Sequence, residues 1–162
     1  MSSETSTPIA SRADFHDAVR TALAQAAATG AAEVCLVDPH FDEWPLNERG
    51  VVASLEQWAS SRRKLIVIAH SFDELARRAS RFVEWRRNWS HIAQCRTVDE
   101  IEADQVPTLL FVPGLVSVRL LDRVRYRGVV SGHATDLVEC RETIDALLQR
   151  STEGFPATTL GL

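Results

Sequence analysis

Two histidines and an aspartate stand where this chain could do chemistry. The stretch VDPHFDEW places Asp38, His40, Asp42 and Glu43 just beyond a short apolar run, and VIAHSFDE places His70 just beyond another. A histidine flanked by carboxylates can act as a general base, and two histidines with an aspartate can hold a divalent metal. If the two apolar runs are neighbouring strands, Asp38, His40 and His70 meet at one strand end, and a small metal-dependent hydrolase is one reading. The other reading is structural: Asp38 caps a turn, Pro39 fixes the bend, and His70 merely precedes a helix that begins at Ser71. The spacing matches no specific metal motif.

A second set of residues is basic. RRASRFVEWRRNW carries Arg77, Arg78, Arg81, Arg86 and Arg87 among Phe82, Trp85 and Trp89, and a later segment carries Arg123, Arg125 and Arg127. Guanidinium groups beside aromatic rings suit phosphates or unstacked bases, and the same residue types favour protein interfaces. Trp85 and Trp89 are four residues apart and share a helix face, which assigns them to the core and leaves the arginines in solvent. His133 opens the last helix with Asp136, where free backbone N–H groups can receive an anion. The candidate anion- or partner-binding residues are therefore Arg81, Arg86, Arg87, Arg123, Arg125, Arg127 and His133. Cys35 and Cys95 sit in apolar strands and Cys140 lies beside Glu139 and Glu142, so none of the thiols reads as a nucleophile. No Walker loop, GxGxxG, GxSxG, HExxH or EF-hand pattern occurs, and no cofactor is expected.

The elements that must position these groups follow from periodicity. SRADFHDAVRTALAQAAATG reads as a helix, with Ser11 as N-cap, Phe15, Val19 and Leu23 as its stripe, and Gly30 as C-cap. AEVCLVDP and RKLIVIAH are buried strands, separated by a loop and the helix VVASLEQWASS. SFDELARRASRFVEWRRNWSH reads as one helix with a Ser71–Glu74 capping box. IAQCRTV and VPTLLFV are further strands, and a fifth follows the Pro113–Gly114 turn, with Val124-Arg125-Tyr126-Arg127 alternating as an exposed strand does. TDLVECRETIDALLQRS closes as a helix capped by Thr135 or Asp136, with Val138, Ile144, Leu147 and Leu148 as apolar positions. The order predicts a three-layer α/β fold: a mixed sheet with parallel βαβ units and a C-terminal antiparallel hairpin at its end. Residues 1–10 read as a disordered tail, 11–150 as a single domain, and 151–162 as a C-terminal tail.

The chain has 162 residues, 45% of them hydrophobic and 25% charged, with a net charge of −4. That balance disfavours nucleic acid as a partner and confines any anion site to a local basic patch. The polar N-terminus is no secretory signal, no apolar run approaches the ~20 residues of a membrane span, and the three separated cysteines suit a reducing compartment. A cytoplasmic protein is expected.

The stretch VPTLLFVPG, from Val106 to Gly114, resembles in frame a landmark of phospholipase D-type domains. Members carry HxKxxxxD followed by Gly on a strand and turn, and VVSGHATD resembles the family's next strand, which ends in Gly-Ser-x-Asn. The element order over residues 11–150 is similar to one half of such a domain. The resemblance implies a histidine nucleophile, a lysine that neutralises phosphate, and an aspartate that orients the histidine. Here those places hold Val106, Thr108 and Pro113, none of which can do that work. It also implies a partner half, which a homodimer would supply. The expectation is a non-catalytic phospholipase D-like domain that binds a protein or a phosphate-bearing ligand.

Overall fold

Ser11 starts the first helix in the way its sequence demands. Its hydroxyl accepts from the Asp14 backbone N–H at 3.0 Å, and the Asp14 carboxylate accepts from the Ala10 N–H at 3.0 Å. The helix α1, Arg12–Thr29, ends at Gly30, whose φ of 66° lets its own N–H turn back to Ala26 and Ala27. Its stripe of Phe15, Val19, Ala22, Leu23 and Ala26 is buried.

The computed structural model describes residues 5–156. The remaining elements are strand β1 (Ser6–Ile9), β2 (Glu33–Val37), helix α2 (Arg49–Trp58), β3 (Lys64–Ala69), α3 (Asp73–Arg78), α4 (Ser80–Asn88), β4 (Ala93–Thr97), β5 (Thr108–Val112), β6 (Val116–Asp122), β7 (Arg127–Ser131), α5 (Ala134–Gln149) and β8 (Thr152–Glu153). The strands form one eight-stranded sheet in the order β1-β7-β6-β5-β2-β3-β4-β8. β2, β3 and β4 run parallel, while β5 pairs antiparallel with β2 and continues antiparallel through β6 and β7 to β1.

Alternation along each strand divides the core in two. Val34, Leu36, Leu65 and Val67 pack with the buried residues of α1, α2 and α4, while Cys35, Val37, Ile66 and Ile68 pack with Cys140, Ile144 and Leu147 of α5. This is the expected three-layer α/β fold, a mixed sheet with parallel βαβ units and an antiparallel β5–β6 hairpin. Among the described residues no helix is long and apolar enough to cross a membrane.

Several local expectations need correction. The hairpin of β5 and β6 does not lie at the sheet's end: β5 is buried along its whole length and sits in mid-sheet beside β2, where both of its faces are covered. Ser6–Ile9, read as tail, pairs with β7, and Thr152–Glu153, also read as tail, pairs with β4. The basic helix is two helices broken at Ala79, where ψ of 59° leaves the helical region. Glu74 does not close a capping box; it accepts from Arg77 and Arg78. Val124 to Tyr126 form the turn between β6 and β7, with Tyr126 at φ 54°. His133 caps α5, and Val138 points outward at 57% exposure.

Candidate functional site: a cleft where the two halves of the sheet meet

The parallel and antiparallel halves meet between β2 and β5, and Asp38 and Thr108 face each other across that junction. The Thr108 hydroxyl donates to Asp38 Oδ1 at 2.5 Å. Asp38 Oδ2 accepts from the N–H groups of His40 (3.1 Å) and Phe41 (2.8 Å). This aspartate turn holds Phe41 at φ 56°, a conformation costly for a bulky side chain, by about 1–3 kcal/mol. Burial of the Phe41 ring against Trp44, with centroids 4.9 Å apart, offsets it.

A cleft of about 360 Å³ opens above this pair, at the carboxyl ends of the parallel strands, where open α/β sheets bind ligands. Phe15, Trp44, Leu120 and Tyr126 supply apolar walls, and Asp38, Asp42, Glu43, Asp104 and Arg123 supply polar groups. Arg123 reaches in from the β6–β7 turn and donates to the carbonyl of Val106 at 2.7 Å, to Thr108 Oγ1 at 3.3 Å and to the carbonyl of Asp104 at 3.2 Å. On the opposite lip the Glu43 carboxylate accepts from Arg12 at 3.1 Å and from the Tyr126 hydroxyl at 3.0 Å. Partial burial works against ionisation of Glu43, but the Tyr126 and Arg12 hydrogen bonds outweigh it and hold the carboxyl below its usual range. Burial, and then the Glu43 hydrogen bond, push the Tyr126 phenol up.

The positions that resemble a phosphodiesterase motif are now visible as structure. Val106 is fully buried in the core beneath α5, Thr108 is engaged with Asp38, and Pro113 lies in the turn at the opposite end of β5. Of the three, Thr108 lines the cleft, and its hydroxyl is engaged by Asp38 and Arg123.

Two solved structures share this fold. TrmBL2, an archaeal chromatin protein described as showing a novel mode of DNA binding, is similar with a TM-score of 0.64 at 12% identity over 94% of this chain, which spans 54% of that one. NucT from Helicobacter pylori is similar with a TM-score of 0.63 at 7% identity over 93% of this chain and 99% of that one. At these identities the likeness is one of fold. No family model matches the chain, and no curated protein matches it. The likeness to TrmBL2 corrects one expectation: nucleic acid cannot be set aside as a partner on net charge, because this fold occurs in a chromatin protein described as DNA-binding.

The structure brings His40 and His70 together, with ring centroids 6.0 Å apart. Asp38 does not complete a ligand set with them, since both of its oxygens are engaged by Thr108 and the turn. Among the described residues no group of three or more His, Cys, Asp or Glu side chains is placed to hold a metal ion.

The candidate arginines are not one patch. Arg123 and Arg125 belong to the β6–β7 turn and Arg127 opens β7, whereas Arg81, Arg86 and Arg87 belong to α4, which leads into β4 on the other side of β5, β2 and β3. Arg81 donates to the Asn47 carbonyl at 3.0 Å and Arg87 to Glu84 at 3.4 Å. His133 is the N-cap residue of α5 and makes no side-chain cap hydrogen bond; beside it Ser131 donates to Asp136 at 2.5 Å and accepts from the His133 N–H at 3.1 Å.

Arg86 differs from the rest. It is buried, at 6% exposure, and its guanidinium lies 5.2 Å from the Phe155 ring, which in turn stacks on Phe72 at 5.3 Å. Burying a cation costs several kcal/mol, and a desolvated cation–π contact returns about 2 kcal/mol. The three thiols are buried and free. Burial pushes Cys95 up to about 11 despite Arg86 nearby, and it raises Cys35 and Cys140 as well.

Arg12, Trp44 and Tyr126 went unnoticed in the sequence as parts of one site. Arg12 and Trp44 carried no motif, and Tyr126 was hidden by a strand-like alternation that is in fact a turn.

Proposed function

We propose that this chain is a phospholipase D-like binding domain that does not cleave phosphodiesters, and that its ligand lies in the cleft between β2 and β5. One observation carries the reading. At the position corresponding to the family's phosphate-binding lysine, Thr108 hydrogen-bonds Asp38, and Arg123 donates to the same hydroxyl and to the carbonyls of Val106 and Asp104. These polar groups are directed at one another and at the main chain, not outward as a catalytic constellation requires. What the cleft offers is aromatic and aliphatic wall with carboxylates at the rim, which suits a ligand with a flat apolar body and hydrogen-bond donors. The test is twofold. An activated phosphodiester, offered with and without added divalent metal, remains uncleaved. A screen of aromatic fragments by NMR finds binders that perturb Tyr126 and Val124 and are lost in Tyr126→Ala. Cleavage that disappears on substituting Thr108 or His40 overturns the proposal.

A second reading, DNA binding at the β6–β7 turn, is favoured by two observations. One is the fold shared with TrmBL2. The other is the turn itself, where Val124 is 91% exposed between Arg123 and Arg125, with Arg127 exposed just beyond. Phosphate contacts make binding salt-dependent, with a log–log slope that falls by about 1 for each contact removed. Fluorescence anisotropy with labelled duplex and single strands supports this reading if Arg125→Glu and Arg127→Glu each lower the slope. It is discarded if neither alters it.

A further inference from the structure

We propose that Arg86 is the centre of an oxyanion-binding site at the β4–β8 edge of the sheet, apart from the cleft and independent of the function proposed for it. The starting point is an imbalance of charge. Arg86 is more than nine-tenths buried, yet its Nε–H has no acceptor and no carboxylate pairs with it among the described residues. Every other arginine of the basic segment is exposed, and Arg77, Arg78 and Arg87 pair with glutamates of their own helices.

Stacking does not resolve the imbalance. The guanidinium carbon lies over the Phe155 ring, 5.2 Å from its centroid, and a ring face offers the N–H donors of a guanidinium no lone pair. Phe155, itself stacked on Phe72, covers one side of the group without accepting from it, and the Cys95 thiol beside it is a weak, uncharged acceptor, so the cation is left without a counter-ion.

Beside this group lies a groove of about 450 Å³, lined by Arg86, Ser90, Gln94, Glu153 and Gly154. Ser90 and Gln94 bring a hydroxyl and an amide N–H₂ to the same space. Glu153 is the opposing group: exposed on the rim, it carries a charge that weakens an anion's binding. The Gly154 N–H donates to the Cys95 carbonyl at 3.1 Å, and a Cβ on Gly154 would lie 2.0 Å from the Thr97 hydroxyl oxygen, so the backbone beside the groove runs close against β4. The ligand class is a small oxyanion, either a phosphate or a carboxylate, engaged by the buried guanidinium.

The experiment follows the Arg86 Nε–Hε resonance of the full chain, identified by its loss in Arg86→Lys, during titration with inorganic phosphate and separately with acetate. Sodium chloride at matched ionic strength is the control. A saturable shift with either anion and none with chloride supports the site, and the responding arm tells phosphate from carboxylate. In Arg86→Met, thermal stabilisation by the same anion is weakened by about tenfold in apparent affinity, the loss expected for one charge-assisted contact. Should Arg86→Met not fold, Glu153→Gln serves in its place, and it binds phosphate more tightly. An Arg86 resonance unmoved by both anions overturns the proposal. So does a Glu153→Gln variant that loses stability without gaining anion affinity, since Glu153 would then be the counter-ion.

Discussion

Thr108 and Asp38 are joined by a hydroxyl-to-carboxylate hydrogen bond across the line where the parallel and antiparallel halves of the sheet meet. Both side chains are buried, so little solvent reaches the carboxylate to replace a lost donor. Thr108→Val keeps the shape and removes the hydroxyl. It is expected to destabilise the fold by about 1–3 kcal/mol. In a chain of this length that lowers Tm by ~2–4 °C per kcal/mol. Thr108→Ser keeps the bond and loses much less. Thermal unfolding of the pair checks this, and equal losses for both variants would show that the methyl group, not the hydroxyl, matters.

Gly128 pairs with Leu120 in the register of β7 on β6, and a Cβ on it would lie 1.9 Å from the Arg119 carbonyl oxygen. Backbone cannot yield as a flexible side chain does. Gly128→Ala is therefore expected to cost at least the ~1–3 kcal/mol typical of overpacking. Gly50, in the first turn of α2, has nothing within 4 Å of the same atom. Gly50→Ala is expected to stabilise by about 0.4–1 kcal/mol, chiefly by restricting the unfolded chain. Urea midpoints measured side by side should move in opposite directions.

The ion pair of Arg20 with Glu48, at 2.7 Å, gives stability a pH dependence. The Arg20 hydrogen bond, against partial desolvation, holds the Glu48 carboxyl below its ordinary value. A folded value below the unfolded one means that the contribution is complete above about pH 4.3, the ordinary glutamate value, and fades as pH falls through the lower folded value. Both side chains are substantially exposed, so the effect is modest and shrinks in high salt. Denaturation midpoints between roughly pH 3 and 6 should fall less steeply for Glu48→Gln than for the unaltered chain. Parallel curves would exclude the pair as a contributor.

The cysteines should be silent in the native state. Cys35, Cys95 and Cys140 are buried and free, and burial disfavours the thiolate at each. A chromogenic disulfide reagent at neutral pH is expected to label none of them quickly and all three in denaturant. Rapid labelling of one native thiol would expose a local opening, and peptide mapping would locate it.

Much of this architecture can be read in the sequence. Leu65 to Ile68 and Val34 to Val37 are unbroken apolar runs, and only strands covered on both faces permit that. Asp38 and His70 end those runs, so placing His40 near His70 needs no more than the assumption that the strands are neighbours. Other features are illegible for physical reasons. Four residues of β1 and two of β8 are too few to carry a period. Tyr126 at φ 54° has no sequence signature, since turns that need positive φ ordinarily select glycine or asparagine. Arg86 looks like its neighbours along the helix, and only the packing of Phe155, from the far end of the chain, singles it out.

The two margins of the sheet have a bearing on how crowded molecules treat one another. An open strand invites the backbone of a neighbouring copy to stitch onto it, and long flat borders seed fibrils. Here one border, β1, is four residues long and interrupted by Pro8, a residue tolerated in strands where its missing donor would have faced solvent. The opposite border, β8, ends after two residues. Pro8→Val would restore a donor to the first border, and at high concentration that variant should cloud sooner than its parent.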